Sequence, residues 1–79
     1  GQTVKEMHEE DLQVEIEARD RLRKGAEYMR SVSDITSAKI FEDILADEEE
    51  HIDYLETQLD LVEQLGEPLY IAQHISPPE

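Results

Sequence analysis

Apolar residues return every three or four positions over most of this chain, in two long series. From the start the series runs Val4, Met7, Val14, Ala18, Leu22, Met29 and Val32. Polar or small residues break it at Asp11, Glu15 and Gly25. The second runs Phe41, Ile44/Leu45, Ile52, Leu55, Leu59, Val62 and Leu65, broken at Glu48 and His51. A seven-residue repeat of this kind marks the buried stripe of an amphipathic helix and argues against disorder. Between residues 2 and 65 the only glycine or proline is Gly25.

The punctuation agrees. Thr3 with Glu6 fits a capping box, the short polar cluster at 31–37 breaks the first series, and Ser33 or Asp34 can cap a second helix. Gly66 fits a C-cap, and Pro68 follows. The pattern predicts a helix over 4–32, a tight turn near 33–34, a helix over 35–65, a short amphipathic segment over 68–75 and a tail. The expected fold class is therefore all-α: an antiparallel helical hairpin over 1–66, with a short C-terminal helix and tail over 67–79. Met7 and Met29 read as core fillers, and His8, one position off the stripe, as a surface residue. His74 gives no ligand pattern. Tyr54, one turn beyond His51, reads as ordinary packing.

A hairpin alone leaves much of each stripe uncovered, and Leu12, Ile16 and Leu61 add apolar surface beside it. A chain of 79 residues builds a thin core. A covering protein surface, and so an oligomer, is expected.

Charge narrows the partners. There are 21 Asp and Glu against 7 Lys and Arg, for a formal net charge of −14. Such a surface repels nucleic acid and anionic membranes and gathers cations. There is no cysteine, so disulfides and thiolate metal sites are excluded. No apolar run reaches the roughly 18 residues that suggest a membrane span. Residues 1–15 are charged throughout, unlike a signal peptide. A cytoplasmic protein is expected.

Against that background the polar residues inside the stripes stand out. Glu48 and His51 form Glu-x-x-His, and positions i and i+3 share a helix face, so both can reach one ion. A carboxylate with an imidazole suits iron, manganese or zinc. Glu15 lies roughly 26 Å before the end of the first helix, and Glu48 and His51 roughly 20–24 Å into the second. The hairpin therefore brings the three to one height, as half of a di-metal carboxylate site. The full site takes a Glu from each of two helices and Glu-x-x-His from each of two others. Asp11 reads either as a residue hydrogen-bonded to a ligand or as a carboxylate at the stripe's edge. The plainer reading of Asp47, Glu49 and Glu50 is a solvated acidic face.

The stretches "DLQVEIEARDRLRKG", "SVSD" and "ILADEEEHIDYLETQLDLVEQLG" resemble the second half of the bacterioferritins, a ferritin-like family of iron-storage proteins. The most specific run is "DEEEHIDYLETQLDL", and the likeness extends from about residue 1 to 75. It implies the third, fourth and short fifth helices of that family's bundle, with the rest of the four-helix bundle supplied by a partner chain. It also implies ferroxidase activity, the oxidation of Fe(II) to Fe(III) by oxygen or peroxide at a non-haem di-iron centre. By this resemblance Glu48 matches the bridging carboxylate, Glu15 the third-helix ligand and His51 the histidine partner, which makes the three both the metal ligands and the catalytic residues. The family's assembly is a hollow shell of 24 subunits around a mineral core. Haem b occurs in the family, but its methionine ligand belongs to the other half and nothing in this chain supports it.

Three arrangements follow. The chain is a C-terminal piece docked to the N-terminal half of a bacterioferritin subunit, a half-subunit pairing with a second copy of itself, or a helper that binds no metal. Two other functions compete with ferroxidase: a non-catalytic hairpin that only pairs with other helices, and structural binding of zinc or manganese at the same residues.

Overall fold

The computed structural model describes residues 2–74, with side chains to 73. Three helices follow in order: α1, Val4–Ser31, α2, Ile35–Leu65, and α3, Glu67–His74. There is no strand among the described residues. The end of the short segment at Ile75, the tail, and the side chain of His74 lie outside them.

Each boundary has a local cause. Thr3 Oγ1 accepts the backbone N–H of Glu6 at 3.1 Å, satisfying a donor that the first turn leaves orphaned. At the other end of α1, Asp34 N–H donates to Met29 O at 2.8 Å and Ser33 N–H to Arg30 O at 3.0 Å. This Schellman pair requires a left-handed residue between its bonds, and Ser33 supplies it with φ 65°. Asp34 then caps α2, its carboxylate accepting Ser37 N–H at 3.1 Å. The Ser37 side chain first, and this backbone bond second, hold the Asp34 carboxyl below its ordinary pKa. Gly66, with φ 78°, ends α2.

The two long helices pack antiparallel. Ala26, Ala38, Ile52 and Val62 are buried between them. Near the turn, Gly25 lets the Phe41 ring lie against the α1 backbone. Arg30 spans the turn with a two-pronged bond to Glu42, at 2.6 and 2.7 Å.

α3 folds back over the open end of the hairpin. Tyr70, buried, donates its hydroxyl to the buried Gln58 Oε1 at 2.6 Å. His8 Nε2 lies 3.1 Å from the same hydroxyl, and the rings meet edge to face. Because the tyrosine proton goes to Gln58, the histidine donates from Nε2. Glu67, opening α3, accepts the Lys5 backbone N–H at 2.9 Å, and Glu63 accepts Lys5 Nζ at 2.9 Å.

These contacts correct three expectations. His8 is half-buried under α3, with its Nδ1 enclosed, and not a surface residue. Met7 is 46% exposed and not a core filler. Leu12 and Ile16 are half-buried rather than left over beside the stripe. The physical reason is one rotation: α1 turns His8, Leu12, Glu15, Leu22 and Ala26 toward α2. Met7, Val14, Tyr28 and Val32 stay open, as do Ile40, Ile44 and Tyr54 on α2. A bundle helix is apolar over a wide arc, and one neighbour covers only part of it. No described helix is long and apolar enough to cross a membrane.

Candidate functional site

Glu15 stands near the middle of α1, Glu48 and His51 near the middle of α2, and helical packing brings all three to one level. His51 Nδ1 lies 3.8 Å from Glu15 Oε2. Glu15 is largely enclosed, with 25% of its side chain exposed, whereas the His51 imidazole is 72% exposed. Glu48 is half-buried.

The electrostatics are those of two acids crowded together. Glu15 Oε2 and Glu48 Oε2 are both enclosed and neither accepts from a donor group, so a hydrogen bond between the two carboxyls would need a proton on one of them. Glu48 is pushed above its ordinary pKa, first by the Glu15 carboxyl beside it and then by burial, with His51 opposing. Buried oxygens without donors are costly. A shared proton or a cation relieves them, and two carboxylates with an adjacent imidazole are a donor set that fits a transition-metal ion.

Beside the pair is a concavity of about 350 Å³, lined by Asp11, Val14, Glu15, His51, Tyr54 and Leu55. It faces away from the hairpin's own core: Val14 and Tyr54 on its walls are 59% and 62% exposed. Asp11 sits in this lining and hydrogen-bonds neither Glu15 nor His51 among the described residues. Leu55, one turn after His51, also lines it; its i+4 spacing from the histidine is the signal that marks it. Among the described residues no group of three or more His, Asp or Glu converges tightly enough to hold a metal ion unaided. Glu15 and Glu48 meet, and His51 leans outward beside them.

The ferritin-like domain profile matches residues 1–65. The chain belongs to the ferritin-like family. Among its relatives, the bacterioferritin of Streptomyces coelicolor is 67% identical over 72 residues, 91% of this chain and 43% of that protein. Bacterioferritin BfrA of Mycobacterium tuberculosis is 54% identical over 78 residues, 99% of this chain and 49% of that one. A solved mycobacterial bacterioferritin superposes with a TM-score of 0.91 at 54% identity, covering 100% of this chain and 50% of that chain. BfrA of M. tuberculosis superposes at 0.88, covering 96% and 48%. The helices therefore have the bacterioferritin fold, and the chain spans about half the length of the relatives it matches.

Proposed function

We propose that this chain serves iron storage, binding Fe(II) at a di-iron carboxylate centre and promoting its oxidation to Fe(III) in a bacterioferritin-type oligomer. The observation that carries this reading is the Glu15–Glu48 pair, with its two enclosed oxygens that accept from no donor group and the imidazole at 3.8 Å. Glu15 and Glu48 would hold the iron through their carboxylates and His51 through an imidazole nitrogen, with Glu48 in the position that the resemblance matches to the bridging carboxylate and Glu15 in that of a terminal ligand. Bound iron supplies the electrons, one from each Fe(II), and oxygen or peroxide accepts them. The chain's own residues supply charge and position. The carboxylates of Glu15 and Glu48 would neutralise part of the charge of the incoming cations, and a cation there would offset the crowding that raises Glu48. His51, exposed toward the concavity, is free to swing onto the ion. Partner helices laid over Val14, Ile44 and Tyr54 supply the remaining ligands and exclude water. In this reading residues 1–66 carry the half-site, and residues 67–79 close the end of the hairpin.

The test is aerobic titration with Fe(II), followed by the near-ultraviolet absorbance of Fe(III). Wild type should oxidise iron faster than Glu48→Ala and His51→Ala. Equal rates would leave the second reading, a hairpin that only pairs with other helices, for which the wide exposed apolar face speaks. Elemental analysis of protein purified without added metal separates iron from structural zinc or manganese.

A further inference from the structure

We infer that His8 makes the docking of α3 sensitive to pH: the neutral imidazole holds α3 on the hairpin, and acid releases it. His8 stands seven residues before Glu15, roughly 10 Å along α1, so the device is separate from the iron site and does not depend on it.

The ring is committed on one side and closed on the other. Tyr70 donates its hydroxyl to Gln58 Oε1, so His8 Nε2 donates to the tyrosine oxygen at 3.1 Å. A neutral ring with its proton on Nε2 carries none on Nδ1. Nδ1 is enclosed and has no hydrogen-bond partner among the described residues. A second proton must go there. It places a positive charge on a half-buried ring and aims an N–H at no acceptor. A stranded donor is costly, and a charged one more so. Because Nδ1 is already closed off within this chain, a neighbouring chain has no room to bring an acceptor to it.

The surroundings do not balance that charge. Tyr70 is the titratable group bonded to the ring, and burial holds its hydroxyl above the ordinary pKa, so no phenolate forms to face the imidazolium. The charged groups around the junction are Lys5 and Glu9 on α1, Glu63 on α2 and Glu67 on α3. Glu63 accepts Lys5 Nζ, Glu67 accepts the Lys5 backbone N–H, and Glu9 is an exposed partner of the same lysine. Asp11, one turn beyond His8, is exposed. Solvent screens these charges.

Undocking removes the constraint. With α3 lifted away, water reaches Nδ1 and accepts from it when it is protonated. The docked state therefore binds fewer protons than the undocked one, and docking weakens as pH falls. For an imidazole of ordinary pKa, about 6.5, the limit is about tenfold in the docking equilibrium per pH unit below that value. Histidine is the side chain suited to such a switch near neutral pH.

Deuterium exchange of the α3 amides tests the release. It is read by mass spectrometry between about pH 7.5 and 5, corrected for the intrinsic pH dependence of exchange. Protection of α3 should fall by up to about tenfold per pH unit below about 6.5, while the amides around Ala26 and Ala38 keep theirs. His8→Gln retains an N–H donor for Tyr70 and takes up no proton, so α3 should stay protected throughout. Wild-type protection that is flat with pH, or an equal fall in His8→Gln, would overturn the switch. If His8→Gln fails to dock α3 at any pH, exchange of the imidazole C2 hydrogen in wild type decides, since its rate reports the protonation of the ring. A ring that gains its proton as α3 loses protection supports the switch. A ring that gains it while α3 stays protected overturns it.

Discussion

The carboxyl of Glu48 lies against that of Glu15 on the neighbouring helix, and each keeps one enclosed oxygen without a donor. In the metal-free protein this contact, with burial, favours the protonated form of Glu48. The folded Glu48 titrates above its unfolded value, so the folded state binds more protons between the two values. Stability from this source is present at low pH and is lost as pH rises through the raised value. Glu48→Gln should remove that fall. In urea denaturation at a series of pH values without metal, the variant should gain on wild type as pH increases. A constant difference would show that the two carboxyls do not interact.

Gly25 is required by Phe41. A Cβ at position 25 would stand 2.5 Å from Cδ2 of the ring. Overpacking of this kind costs about 1–3 kcal/mol, against about 1 kcal/mol that alanine gains over glycine in a helix. Gly25→Ala should lower stability by about 1 kcal/mol net, and adding Phe41→Leu should recover part of it in thermal melts.

Ser33 occupies a left-handed conformation at φ 65°, which costs a non-glycine residue about 1–2 kcal/mol. Glycine removes the steric cost but gives the unfolded chain more freedom. Ser33→Gly should stabilise the protein by about 0.5–1 kcal/mol in chemical denaturation, leaving the iron site untouched.

Tyr70→Phe should cost about 1–3 kcal/mol, since it strands the buried Gln58 carbonyl oxygen and the donating His8 nitrogen together. Far-ultraviolet circular dichroism should show α3 melting before the hairpin in this variant.

Both long helices, the turn and the caps at Thr3, Asp34 and Gly66 were legible because each rests on neighbours within four residues. The inward face of α1 was not. Counting apolar positions finds the centre of the whole apolar arc, and that arc serves two neighbours at once. It therefore favoured Met7 and Asp11 over His8 and Leu12. The bond between His8 and Tyr70 joins residues 62 apart, and no local pattern announces it. At the site, i,i+3 spacing and a count of helical rise were enough to put Glu15, Glu48 and His51 on one level. They could not show that Glu15 and Glu48 face each other while His51 leans outward, because that depends on the rotation of α1.

The latch formed by α3 has a consequence for the order in which the chain opens. Its grip on the hairpin is concentrated at Tyr70 and at the carboxylate of Glu67 on the Lys5 amide. An eight-residue helix at the end of the hairpin is a unit of lower local stability than the two long helices. Its amide hydrogens, and that of Lys5, should trade with deuterium sooner than those of α1 and α2 around Ala26 and Ala38.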